Sequence, residues 1–529
     1  MKLRSFAAIA GTVEAAGAAP CRSGAAGGTL SGAAGGVPGL VYGTGRRGAR
    51  GPPQPEGSMV RRTKIVCTLG PASWSPERIR SLVDAGMDVA RINFSHGDLE
   101  RHAETIRNVR EVSRQAGRPV AVLGDLQGPK IRVGVLPQPV QLEPGDSVTF
   151  APEAECGPGE IPTTFAELAQ DVEVGEVVLL ADGLMELIVE DVRPPRVKMR
   201  VIHGGELTSS KGINLPTTRI SVPSLTAKDL RDLEFALEHK VDYVALSFVR
   251  SQEDVLDLAR RIPADGPLVV VKVEKGLALQ NLQAIVEGAA VAMVARGDLG
   301  VELPFEQVPL AQKRMIQLCN VSSRPVITAT QMLESMIENP RPTRAEASDV
   351  ANAIIDGTDA VMLSAETATG KFPVQAVQAM ARIAQEIEGS HILEAGPHYD
   401  FPLERADGEI TTARAIAGAT VEAVRRLQAP LILTFTSSGS TARVVSSFRP
   451  PVPILALTDS IRTCNQLALV WGVIPILCSH EATFDETMAC AREEAVKRGL
   501  ARPGDRVVVT AGAPMHVAGT TNLLQVEVV

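Results

Sequence analysis

Beyond residue 58 the sequence has no uninterrupted apolar run of the ~18 residues that a membrane-spanning helix needs, so nothing in the folded chain is expected to cross a bilayer. It also lacks the cysteine spacing of a metal or disulfide framework. The 7 cysteines are scattered, odd in number and free of any CxxC pair, which predicts reduced thiols in a cytoplasmic protein and no structural zinc. Excess positive charge is missing as well: 53 Lys and Arg against 61 Asp and Glu leave a formal net charge of -8, which argues against general affinity for nucleic acid. Residues 1–58 lack a periodic apolar pattern. Ala and Gly dominate them up to the closing RRGARGPPQPEGS, and they have too little to bury for an ordered core. Met59 is expected to open the folded protein, with 1–58 either a disordered extension or an upstream stretch that the cell does not translate. AAIAGTVEAAGAAP, after Lys2 and Arg4, is too weak and interrupted for a secretory signal.

What is present suits a soluble, multi-unit chain: 529 residues, 45% hydrophobic and 22% charged, enough for about three folded units. From residue 64, short β-branched runs alternate with amphipathic helical patterns. The runs are KIVCTL (64–69), DVARINF (88–94), VAVLGDL (120–126), YVALSFV (243–249), LVVVKVE (268–274), AVAMVARG (290–297), PVITAT (325–330) and AVMLSAE (360–366). Eight such repeats predict an α/β fold, a closed (β/α)8 TIM barrel over residues 59–130 and 217–390, with its chemistry where the strands end. Polar residues gather there: Arg91, Asn93, Asp125, Ser247, Lys272, Glu274, Arg296, Asp298, Thr330, Ser364 and Glu366. The gap between the third and fourth runs is far too long for a crossover. Its turn-rich alternating segments (VQLEPGDSVTF, EVVLLADGLMELIVEDV) predict a small β-barrel domain at 131–216, inserted at the catalytic face and placed to act as a lid. Residues 391–529, with strands LILTFT, PILALTD, VIPILCS and RVVVTAG, read as a separate α/β sandwich.

Glu274 and Asp298 end neighbouring runs, an arrangement in which two carboxylates can converge on one hard cation such as magnesium. Lys272 stands two residues before Glu274 and so on the same strand face. There it could neutralise a transferring phosphoryl group or form a Schiff base with a carbonyl. In ARGDLG the turn into the next helix offers bare N–H groups to a carboxylate. TATGKFP (367–373) is not a phosphate-binding Walker loop, since Ala365 stands where its first glycine belongs and Phe372 where Ser or Thr should be.

Together these segments resemble the pyruvate kinase family from about residue 60 to the C-terminus. TLGPAS (68–73), RINFSHG (91–97), GDLQGPKIR (124–132), KGINLP (211–216), SFVR (247–250), KVE, MVARGDLGVELP (293–304), ATQMLESM (329–336) and RPTRAEASDVANAIIDGTDAVMLSAETA (341–368) carry the resemblance. It implies phosphoryl transfer between phosphoenolpyruvate and ADP, yielding pyruvate and ATP, in a homotetramer. By position it implies Lys272, Thr330 and Arg91 as catalytic residues. Glu274 and Asp298 are then magnesium ligands, with manganese as a substitute. Arg91, Lys272, Gly297, Asp298 and Thr330 contact phosphoenolpyruvate, and Asn93, Phe94, Ser95, His96, Arg132 and Lys211 contact the nucleotide.

One departure concerns the monovalent cation. Family members that hold potassium use Asn, Ser, Asp and Thr, with a glutamate at the position of Lys130. Here Asn93, Ser95 and Asp125 remain but the threonine is Leu126. Leucine has no side-chain oxygen, whereas an ammonium carries the same single charge. Lys130 is therefore expected to replace potassium, with Gln127 and Val133 as further marks of a potassium-independent member. TSSGSTAR (436–443) resembles the family's pocket for an effector phosphate, implying Thr436, Ser437, Ser438, Gly439, Ser440 and Thr441 as its contacts. The loop APMHVAGTTN (513–522) lacks the Arg and Trp that accompany a fructose bisphosphate, which favours a sugar monophosphate or AMP. An enolate-forming lyase or mutase on the same barrel, or a decayed barrel that only senses sugar phosphate, are the rival readings.

Overall fold

The eight expected runs form eight parallel strands: β1 (Lys64–Thr68), β2 (Val89–Asn93), β3 (Ala121–Asp125), β4 (Tyr243–Leu246), β5 (Leu268–Val273), β6 (Val291–Ala295), β7 (Val326–Ala329) and β8 (Ala360–Leu363). They close into a barrel in chain order, β8 pairing with β1. This computed structural model describes residues 60–393, 410–479, 483–512 and 521–529; the expectations for residues 1–58, for Met59 and for most of the 513–522 loop lie outside them. Strand alternation decides which side chains meet inside. Val66, Val89, Leu123, Ala245 and Val270 pack in the lumen, so Thr68, Arg91, Asp125, Ser247 and Lys272, two residues further on, face inward at the upper rim. The intervening Cys67, Ile92, Leu246, Val271 and Val273 face the helices instead.

Those helices carry ordinary start and stop signals. Helix Leu99–Ala116 begins on Asp98, which accepts from Arg101 N, and ends on Gly117 at φ 60. Its buried Ala103, Ile106, Val109 and Val112 recur at helical spacing against the barrel. Among the described residues no helix is long and apolar enough to cross a membrane.

The segment between β3 and β4 builds a six-stranded sheet and a two-stranded one around a shared core containing Phe150, Val178, Leu187 and Met199. Arg132 bridges Gly212, beside one edge strand of the larger sheet, and Val133 bridges Thr163 on the other edge strand. Residues 132–133 thus draw the two edges together into a small barrel.

The C-terminal unit has five strands: β9 (Ile432–Phe435), β10 (Ile454–Thr458), β11 (Val473–Leu477), β12 (Arg506–Gly512) and β13 (Thr521–Val528). Only β13 runs antiparallel to its neighbour. Helices cover both faces. Its Ala468 and Leu469 plug the barrel floor. At that floor the Tyr243 hydroxyl donates to Gln466 O at 2.5 Å, and the buried Lys64 ammonium donates to Val473 O at 2.6 Å. Burial, partly offset by Asp88, lowers Lys64 from 10.5 to about 8. Between those two values the unfolded chain binds more protons than the native one, so this residue makes stability rise with pH across that window. Urea unfolding of wild type and Lys64→Met should show their difference growing in favour of wild type from pH 8 to 10.5; a constant difference would refute the assignment.

Candidate active site

The lumen rim forms one charged network. Arg91 grips Asp125 Oδ2 through Nε and Nη2, both at 2.7 Å, and donates to Thr68 Oγ1 at 2.9 Å. Lys272 Nζ lies 2.7 Å from Glu274 Oε1, 2.8 Å from Ser247 Oγ and 3.4 Å from Asp125 Oδ1. Ser247 in turn donates to Leu126 O at 2.7 Å, and Phe248 N donates to Glu274 Oε2 at 2.8 Å. Burial would lower Lys272, but Asp125 and then Glu274 outweigh it and hold the ammonium charged, above the ordinary lysine value. Burial would raise Asp125, yet Lys272 and Arg91 hold its carboxyl below the usual range. Glu274 is pushed up, first by burial and then by Asp298, against the pull of Lys272.

Beyond β6 the chain turns into the short helix Arg296–Glu302, which carries Asp298 in its first turn. The Asp298 carboxylate makes no hydrogen bond or ion pair with any described residue. Thr330 and Gln331, just past β7, sit at φ 67 and 54. A β-branched residue there costs on the order of 1–3 kcal/mol, which the surroundings must offset. Arg296 does so by donating to Thr330 O at 2.7 Å and Ala329 O at 3.3 Å while anchored on Asp349 at 2.8 Å. Gly297 N donates to Thr330 Oγ1 at 2.7 Å, tying the two expected substrate contacts together.

A family model described as pyruvate kinase, barrel domain, matches residues 60–377, and one described as pyruvate kinase, alpha/beta domain, matches residues 414–527. The chain belongs to the pyruvate kinase family. It is a phosphotransferase. The pyruvate kinase of Geobacillus stearothermophilus is 44% identical over 479 residues, covering 89% of this chain and 81% of that one. Pyruvate kinase 2 of Synechocystis sp. is 47% identical over 479 residues, covering 89% and 80%. A pyruvate kinase of Agrobacterium vitis is 45% identical over 471 residues, covering 88% and 98%.

Set against the pyruvate kinase pattern, the other expected residues divide. Asn93 Oδ1 accepts from Ser95 N at 3.1 Å, shaping the turn that exposes His96. Phe94 is 3% exposed and its ring packs edge-on against His102 and Phe235, so the side chain braces this turn from beneath. Arg132 and Lys211 are brought together on the paired segments that join the inserted domain to the barrel, where Val133 N donates to Lys211 O at 2.8 Å. No hydrogen bond or ion pair joins Lys130 to Asn93, Ser95 or Asp125. Gly128, at φ 69 where an added Cβ would meet the Phe248 ring, turns the chain out of the lumen. Lys130 lines a cleft with Asp182, Lys275 and Asp298 and forms no ion pair with any described residue. Leu126 is 1% exposed and belongs to the core. Glu366 stabilises backbone, accepting from Ser364 N at 2.6 Å and from Leu333 N at 3.1 Å.

In the C-terminal unit, residues 436–439 turn from β9 into helix Ser440–Ser446, with Gly439 at φ 77. The buried Thr441 hydroxyl shares a hydrogen bond with Thr521 Oγ1 at 2.7 Å, which fixes its orientation at the start of the helix. Arg443 backs the turn by donating to Ser438 O at 2.9 Å. Sequence reasoning missed Lys275, Glu302 and Asp182 near the catalytic cleft. Lys275 directly follows KVE, and the Asp-Gly of ADGL marks a tight turn that brings Asp182 over from the inserted domain.

Proposed function

We propose that this chain transfers the phosphoryl group of phosphoenolpyruvate to ADP, giving pyruvate and ATP, as the closing step of glycolysis in the cytoplasm. The observation that carries the reading is Lys272, buried and charged between Asp125 and Glu274 on the rim that Asp298 shares. Glu274 and Asp298, whose carboxylate has no hydrogen-bond or ion-pair partner among the described residues, offer hard oxygen donors of the kind that magnesium or manganese takes. Among the described residues no three acidic, His or Cys side chains cluster to hold a metal, so water and substrate oxygens would complete the shell. Bound there, the cation would offset charge on the phosphoryl group and the enolate. Arg91 and Lys272 set two further positive charges at the rim, and phosphoryl transfer needs positioning and charge more than covalent help. The bond from phosphorus to the enol oxygen breaks as that to the ADP terminal phosphate oxygen forms. The enolate then takes a proton on carbon, on the face where we place Thr330. Closing the inserted domain over this step excludes water that would otherwise take the phosphoryl group.

Three finer readings accompany it. Leu126 cannot ligate potassium, so we infer that the enzyme works without it and that Lys130 supplies the charge when the inserted domain closes. The 436–441 turn supports activation by a sugar monophosphate or AMP. Phe305, 85% exposed, and Leu310, 59% exposed, leave an apolar strip that a second copy in a homotetramer would cover.

Pyruvate formation from phosphoenolpyruvate, ADP and magnesium tests the first reading, run with and without potassium, glucose 6-phosphate and AMP. ADP-dependent pyruvate is expected, and pyruvate without ADP would point to a lyase instead. Rates should agree with and without potassium, whereas Lys130→Glu should fall about tenfold in potassium-free buffer and recover when potassium is added. Wild-type activity only in potassium would sink the role of Lys130.

A further inference from the structure

Helix Arg296–Glu302 has only 7 residues. About two turns do not hold a direction by themselves in water, so the ties at its ends set where it points. Arg296 and Gly297 fasten its start to Ala329 and Thr330. Its far end is fastened by Glu302 Oε1 to Lys275 Nζ at 2.6 Å, with side chains 1% and 9% exposed. Lys275 follows Glu274 with extended backbone, φ -110 and ψ 141, so successive side chains point opposite ways. Glu274 turns to Lys272, and Lys275 turns to the helix. Asp298 and Glu302 stand four residues apart, on one helix face. The Lys275–Glu302 pair is therefore one of the ties, with those of Arg296 and Gly297, that set the separation of the two expected cation carboxylates, and the one that links the helix directly to the residue after Glu274.

The inserted domain meets the same helix. Asp182 and Asn214 line the cleft with Lys275 and Asp298, and a Cβ placed on Gly183 would lie 3.6 Å from Val301 Cγ1. Glu302 Oε2 is buried without a hydrogen bond. With Lys275 removed, the buried carboxylate would lose its only cation and keep no charged partner, which favours a shift of the helix end toward water.

We propose that Lys275 and Glu302 are positioning residues for the divalent-cation site: their pair fixes helix 296–302, and with it Asp298, against Glu274. The proposal rests on Glu274 and Asp298 being the cation's carboxylates.

The test uses the full-length protein and manganese(II), with binding read by electron paramagnetic resonance in the absence of substrates, and with kcat and KM measured alongside. Lys275→Met and Glu302→Gln should each raise the manganese dissociation constant about tenfold. Their double variant should be no worse than either single, because both break one pair. Lys275→Arg should stay close to wild type. Thermal melts by circular dichroism report folding separately. Unchanged manganese affinity in Lys275→Met and Glu302→Gln, while Asp298→Asn loses it, would overturn the positioning role and leave the cation site standing. Unchanged affinity in Asp298→Asn would overturn both.

Discussion

Lys272→Met is expected to lower kcat by about three to four orders of magnitude, since one positioned donor is worth 10²–10³ and a charged group on a transferring phosphoryl more. Stability should fall too, because Asp125 and Glu274 share this ammonium and both are buried. Removing one partner of a buried ion pair costs about 3–5 kcal/mol. The sign of the pH dependence separates this from ordinary packing loss. In the wild type the lowered Asp125 contributes stability that is present above its unfolded pKa and lost as pH falls. Without Lys272 both carboxyls are pushed up, so protonation relieves the variant and its deficit should narrow from pH 7 to pH 5. Steady-state kinetics and urea unfolding at both pH values check the pair of claims. A kcat within tenfold of wild type would remove Lys272 from the chemistry, and a deficit independent of pH would deny the shared charge.

How far the sequence carried depends on the range of each interaction. The eight runs were legible because buried parallel strands are short, β-branched and bounded by polar ends. Lys272 and Glu274 were legible because a two-residue spacing puts them on one face. The same alternation could have placed Phe94: Ile92 and Phe94 share the outer face while Asn93 faces the rim. Its position inside a motif outweighed that signal. The direction that Lys130 takes was not legible for a different reason. Its direction is set by a positive φ at Gly128 and the contact with Phe248, a residue more than a hundred positions away. Pairing of that kind, like Lys275 with Glu302, leaves no local pattern. The strain at Thr330 was likewise invisible, since it depends on three bonds from Arg296 on a neighbouring element.

The floor of the barrel makes the same point about the C-terminal unit. Its strands and helices could be read segment by segment, but nothing local says that Ala468 and Leu469 would close another unit's lumen. That contact gives the helix Ile461–Leu467 two attachments. Thr463 Oγ1 donates to Ser437 O at 2.8 Å in the expected effector turn, and Gln466 O accepts from Tyr243 at the start of β4. β4 ends beside Ser247, which touches Lys272.

Arg449→Met should be the most destabilising substitution at this floor. The guanidinium is 7% exposed and lies 2.8 Å from Asp359 Oδ2, 2.7 Å from Asn320 Oδ1 and 2.6 Å from Gly357 O, with its carbon 5.1 Å from the Trp471 ring centroid. Asp359 is 2% exposed and also accepts from Val326 N at 3.0 Å, at the start of β7. Methionine fills much of the volume but leaves that carboxylate buried without its cation, for which a loss of about 3–5 kcal/mol is expected. Arg449→Met combined with Asp359→Asn removes both charges and should recover part of the loss, because the cost lies in the stranded charge more than in the bond. Chemical unfolding of the two variants decides it. If the double variant is less stable than Arg449→Met by the full cost of Asp359→Asn in wild type, the two residues act independently, and the floor is held by apolar packing on Ala468, Leu469 and Trp471.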